Sequence, residues 1–153
     1  EPVSMIDVSL RISLLDLMSK MNRELGLAFI YITHDLATAR YIVQNGRIIV
    51  MYLGRVVETG DLNHVLEYPR HPYLQALLRA IPQPDPKTSR GRNELPLRSI
   101  DMPSNINPPP GCRFHPRCPY WTELCERDEP QLRPYEGCMI ACHHAENIPE
   151  WVW

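Results

Sequence analysis

Cys112, Cys118, Cys125, Cys138 and Cys142 crowd into the 31 residues from 112 to 142, and the 111 residues before them hold no cysteine. Clustered thiols can do three kinds of chemistry. A disulfide framework suits a secreted chain, but five is an odd number and no export signal is visible. A zinc site usually shows a close Cys-x2–4-Cys pair, because one tight turn presents two thiolates to one ion. Here five, six, twelve and three residues intervene. Wider spacing suits a larger object, such as an iron–sulfur cluster held by four thiolates from loops. Structural thiols are the remaining reading. A second candidate lies far upstream, where Thr33-His34-Asp35 follows a short apolar run. A histidine there can be an ordinary structural residue, or a hydrogen-bonding group set at the end of a rigid strand.

Both candidates must be positioned by regular elements. From Val8 to Leu25, apolar residues recur at Leu10, Leu14, Leu17, Met18, Met21 and Leu25, the spacing of one buried helical stripe. Asp7 is placed to cap its start and Gly26 to close its end. Leu27-Ala28-Phe29-Ile30-Tyr31-Ile32 has the continuous apolar character of a central strand covered on both faces. A second helix is predicted over about 36–43. Strands follow at about 47–52 and 55–58, joined by Leu53-Gly54. Short helices are expected over 61–68 and from Pro72 to Ala80, the second with an apolar face suited to packing. Residues 83–110 hold seven prolines and few large apolar residues, which predicts an extended linker or arm.

With 153 residues, the chain can form one ordinary domain or two small ones, and 44% hydrophobic content permits a real core. A net charge of −2 gives no basic excess for nucleic acid or an anionic membrane. The cysteine-bearing stretch 111–146 has four arginines against six acidic residues, which argues against a nucleic-acid-binding finger. No apolar run reaches the length of a membrane span, and no signal-peptide pattern opens the chain. The first residue is Glu1 rather than methionine, so a truncated or processed product is the expectation.

Five motifs, in order, carry a resemblance to a known family. Glu1-Pro2-Val3-Ser4-Met5-Ile6-Asp7 is similar to the end of a Walker B motif followed by the D-loop of ABC-transporter ATPases. Thr33-His34-Asp35 resembles their switch histidine loop. Val50 to Gly60 resembles the strands after it. His71-Pro72-Tyr73 with Leu77 to Pro82 is similar to the C-terminal extension of the oligopeptide/dipeptide importer branch. Gly111-Cys112-Arg113-Phe114-His115-Pro116-Arg117-Cys118-Pro119 and Ala141-Cys142-His143 resemble that branch's cysteine-rich tail. The resemblance runs to about residue 145.

The resemblance implies an α/β fold class. Residues 1–60 would be the C-terminal piece of an ABC-type nucleotide-binding domain. A helical extension over 61–82, a Pro-rich arm over 83–110, a small Cys-rich module over 111–146 and a tail over 147–153 would follow. It implies that Glu1 is the catalytic carboxylate polarising the attacking water, that His34 reaches the γ-phosphate, and that Ser4 and Asp7 make the D-loop contact of an ATPase dimer. It implies ATP and Mg2+ as cofactors of the intact subunit. Cys112, Cys118, Cys125 and Cys142 would hold a 4Fe–4S cluster, or alternatively Zn2+, with Cys138 the spare. Implied partners are a second ATPase subunit, two transmembrane permease subunits and an extracytoplasmic solute-binding protein, with no nucleic acid, at the cytoplasmic face of the membrane. The sequence lacks a Gly-x4-Gly-Lys-Ser/Thr phosphate loop, so the chain alone is expected to be inactive. Its central strand 27–32 is expected to lack sheet neighbours. The reading from another class is a stand-alone iron–sulfur or zinc binding module of a regulatory protein.

Overall fold

The computed structural model describes residues 6–43, 46–81 and 95–151. The chain divides into two compact units, 1–47 and 48–153.

In the first unit, helix α1 spans Val8–Leu25. The Asp7 side chain accepts the Leu10 N–H at 3.0 Å, which satisfies one of the donors that a helix start leaves without partners. Gly26 ends the helix in the left-handed region, φ 65°, and returns its N–H to Asn22 O. Helix α2 spans Leu36–Ile42, capped by Asp35, whose carboxylate accepts from Ala37 N at 2.9 Å and Thr38 N at 3.3 Å. The Tyr41 hydroxyl donates to Asp16 Oδ1 at 2.8 Å and ties α2 to α1. Leu15 and Ala39 are buried.

Two expectations fail in this unit. Leu14, Met18 and Met21 are half-buried, but Leu10, Leu17 and Leu25 are exposed. Within this unit α2 packs on α1, and the expected stripe is buried on one side only. Residues 27–32 form no strand. Ile30 is 95% exposed and Ile32 70%. A strand exists through its ladder, and among the described residues of this unit no other strand lies beside it.

In the second unit, β1 (Arg47–Tyr52) and β2 (Arg55–Asp61) are joined by Leu53 and Gly54, with φ of 45° and 77°. Two successive positive φ values are the signature of the turn whose twist matches a hairpin. Helix α3 spans Leu62–Glu67, with Asp61 accepting the His64 N–H, and α4 spans Pro72–Ala80. Both fall where the sequence put them. Helix α5 is short, Glu123–Arg127. The strands β3 (Arg133–Tyr135) and β4 (Cys138–Ile140) form a second hairpin, turned by Glu136 and Gly137 at φ 42° and 83°.

The four strands make one sheet in the order β1-β2-β4-β3. β4 runs antiparallel to β2, with Glu58 opposite Ile140 and Thr59 opposite Met139. The cysteine-bearing stretch and the first hairpin thus share a sheet. Val57, Leu62, Val65, Leu74, Leu78, Ile140 and Ala145 fill the core. Phe114 is 1% exposed, its ring 5.2 Å from Tyr52 and 5.6 Å from Tyr73. Burying a ring of that size contributes roughly 2–3 kcal/mol, so Phe114 anchors the loop that carries the first cysteines.

Residues 95–110 contain no helix or strand. The part of the Pro-rich stretch before them, 83–94, lies outside the described residues. The Arg98 guanidinium stacks 4.0 Å over the Trp121 ring, and its backbone N–H donates to Arg117 O at 2.9 Å. These contacts fasten residue 98 to the cysteine-bearing stretch.

Candidate functional site: four thiols from three loops and a helix

Cys112 follows Gly111, where the backbone runs close against the end of α5. A Cβ added at Gly111 would lie 2.5 Å from Cys125 O, and φ there is 62°. That close approach lets Cys112 N donate to Cys125 O at 2.8 Å. A series of tight turns carries the chain from Cys112 to Cys118. His115 N donates to Cys112 O, Arg117 N to Phe114 O and Cys118 N to His115 O. The His115 ring adds an Nδ1 contact of 2.9 Å to Cys112 O. Cys125 lies on α5 and is buried. Cys142 leaves β4 two residues after Ile140, and the preceding Ala141 N–H donates to Val57 O.

All five cysteines are thiols. Four share one electrostatic neighbourhood. Burial pushes the Cys118 thiol up to about 12, and the charges of Cys142, Cys112 and Cys125 add to it against a backbone hydrogen bond at Tyr120. Cys142 is pushed up to about 11, again first by burial, with Cys112 and Cys125 raising it further. Cys112 is raised by burial and by Cys125. Burial holds the protons on Cys112, Cys118 and Cys142 unless a cation is brought among them. Any metal bound here must therefore displace protons as it binds.

Cys138 stands elsewhere. Its thiol lies 3.1 Å from Tyr135 O and 3.9 Å from Glu58 Oε1. Burial raises it to about 11, and the next contribution is Glu58 rather than another cysteine. The charged neighbours of Cys118 and Cys142 thus include other thiols, whereas the main one of Cys138 is Glu58.

A mononuclear zinc site needs its sulfurs converged on one point, about 3.8 Å from one another at a Zn–S distance of about 2.3 Å. Among the described residues, no group of three or more His, Cys, Asp or Glu is arranged to hold a single metal ion.

The surrounding shell was not read from sequence. His143 Nε2 lies 2.9 Å from Asp128 O. Arg133 pairs with Glu146 at 2.6 Å and reaches Cys142 O at 3.4 Å. His144 N donates to Cys142 Sγ at 3.4 Å. The one signal in the sequence was the run Cys142-His143-His144 itself.

The other predicted site residues lie in the first unit. Glu1 and Ser4 are outside the described residues. Asp7 serves as the cap of α1. His34 sits in the turn that enters α2, where Asp35 N donates to Thr33 Oγ1 at 3.0 Å.

Residues 57–125 match the family described as "Oligopeptide/dipeptide transporter, C-terminal region". The dipeptide transport ATP-binding protein DppF of Escherichia coli is 45% identical over 142 residues, 93% of this chain and 41% of that protein. The oligopeptide transport ATP-binding protein OppF of Salmonella typhimurium is 43% identical over 142 residues, 93% of this chain and 42% of that protein. The di/tripeptide transport ATP-binding protein DppF of Pseudomonas aeruginosa is 40% identical over 150 residues, 97% of this chain and 44% of that protein. The chain thus spans less than half the length of these relatives. The similarity covers both units rather than the cysteines alone, which argues against a stand-alone metal-binding module. By sequence, the chain belongs with the C-terminal part of the ATP-binding proteins of oligopeptide and dipeptide ABC transporters.

Proposed function

We propose that this chain supplies the C-terminal part of an ATP-hydrolysing subunit that drives uptake of oligopeptides, dipeptides or similar solutes. The observation that carries the proposal is 45% identity across 93% of the chain to a protein named for dipeptide transport and ATP binding.

In this reading ATP is the substrate. Glu1 polarises the water that attacks the γ-phosphate, and His34, held in the Thr33–Asp35 turn, orients that phosphate. Ser4 and Asp7 face the second ATPase subunit, with Asp7 capping α1 as well. The chain has no Gly-x4-Gly-Lys-Ser/Thr loop, so it does not fit Mg2+ or the phosphate chain by itself. Those duties are assigned to the remainder of the subunit. Two permease subunits and an external solute-binding protein complete the transporter. No described helix is long and apolar enough to cross a membrane, which suits peripheral attachment at the cytoplasmic face.

Cys112, Cys118, Cys125 and Cys142 are proposed to hold a 4Fe–4S cluster. Such a group would supply a cross-link among loops that share little core, together with one-electron redox chemistry. The chain's own part is to bury the four sulfurs, surround them with backbone N–H groups and release their protons.

The test is made on the full-length subunit. Glu1→Gln should leave ATP binding intact while hydrolysis falls by about 10²–10⁴-fold, the usual loss when a general base goes. Near wild-type turnover would overturn the role given to Glu1.

A further inference from the structure

Strand β4 ends at Ile140, and the Ala141 N–H still donates to Val57 O. Beside that bond a cavity of about 330 Å³ opens, lined from residues 54–57, 111–114 and 129–132. This volume lies at the lower end of the range for small-molecule sites. Val57, Phe114 and Ala141 are buried and give the cavity an apolar interior. Its solvent side carries an ion pair. Glu129 grips Arg55 with both carboxylate oxygens, Oε1 at 2.9 Å from Nε and Oε2 at 3.1 Å from Nη2. The two side chains are 52% and 43% exposed. Arg113 also lines the cavity, and its guanidinium donates to Leu53 O. A carbonyl takes that bond without cancelling the charge. Among the lining residues, two guanidiniums therefore stand against one carboxylate.

We propose that this cavity binds a small carboxylate with an apolar body, whose carboxylate takes the place of Glu129 on Arg55. A guanidinium fork receives any carboxylate in the same two-bond geometry, so Glu129 is an internal stand-in for the ligand. An ion pair this exposed is weak, and exchanging its carboxylate for another costs little. The excess positive charge of the lining selects an anion over a neutral or cationic molecule of the same shape. With the ligand seated, lining and ligand together carry two charges of each sign. The apolar body is then covered by Val57, Phe114 and Ala141. No thiol takes part.

The test titrates the whole chain with hexanoate and follows the amide signals of Gly54 and Ala141 by nitrogen-15 NMR. Both signals should shift saturably, while hexylamine and hexan-1-ol at the same concentrations should leave them in place. Arg55→Gln should weaken hexanoate binding about tenfold or more. Glu129→Gln keeps the side chain's shape and removes the competing charge, so it should tighten binding about twofold to fivefold. A gain of affinity cannot come from a damaged fold, so Glu129→Gln decides the matter if Arg55→Gln does not fold. Failure of Glu129→Gln to bind hexanoate more tightly than the parent would overturn the proposal. So would equal shifts with hexylamine, or full affinity in a folded Arg55→Gln variant.

Discussion

The backbone N–H of His71 donates to Glu58 Oε2 at 2.7 Å, with both residues almost wholly buried. The other oxygen of Glu58 accepts Arg70 N at 3.1 Å and lies 3.9 Å from the Cys138 thiol. One carboxyl group thus joins β2, the entry to α4 and β4. Burial holds Glu58 above the usual carboxylate range despite the two N–H bonds that oppose it. The His71 side chain caps α4, its Nδ1 accepting Tyr73 N at 3.1 Å, and burial lowers its pKa to about 3.

These two groups tilt stability with pH in opposite senses. His71 stays neutral in the folded chain, while the unfolded chain takes up a proton below about 6.5. Its contribution is complete above that pH and lost as pH falls toward 3, roughly 3 kcal/mol of it by pH 4. Glu58 works the other way, its contribution complete below the ordinary carboxylate value and lost as pH rises through its raised folded value. His71→Asn keeps a capping side chain that does not titrate. Urea unfolding of this variant between pH 7 and 4 should show a flatter loss of stability than the parent. Equal slopes would mean that His71 is not the group responsible.

The exposed apolar face of the first unit predicts behaviour in solution. Ile30 and Ile32 are among its most exposed side chains, in a segment whose composition suits a covered strand. Light scattering should detect self-association of this chain, and Ile30→Asp combined with Ile32→Asp should reduce it. A well-behaved parent monomer at high concentration would contradict that expectation.

The features legible in the sequence were those with local causes. Asp7 and Gly26 marked the ends of α1, Pro72 the start of α4, and Leu53-Gly54 the first hairpin, because caps and turns are decided within a few residues. Strands β3 and β4 went unread, since three residues each are too few to show alternation. The pairing of β4 with β2 spans about 80 positions, as Glu58 opposite Ile140 shows, and no local signal encodes it. The strand expected over 27–32 failed for a related reason: apolar composition proposes a strand, but a neighbour makes one. Around the thiols, separating Cys138 from the other four came from family resemblance, and its physical cause, the Glu58 carboxyl beside it, is tertiary.

The grouping of the cysteines is tested most directly by iron content. Each of the five is changed singly to serine in the whole chain, which is then reconstituted anaerobically and assayed for iron and visible absorbance. Cys138→Ser should match the parent, because that thiol faces Glu58 and Tyr135 O. Serine at 112, 118, 125 or 142 should abolish both signals, since in the proposed cluster each position supplies one of four thiolates. Loss of iron in Cys138→Ser with retention in Cys142→Ser would contradict the grouping, and stoichiometric zinc without iron would contradict the cluster.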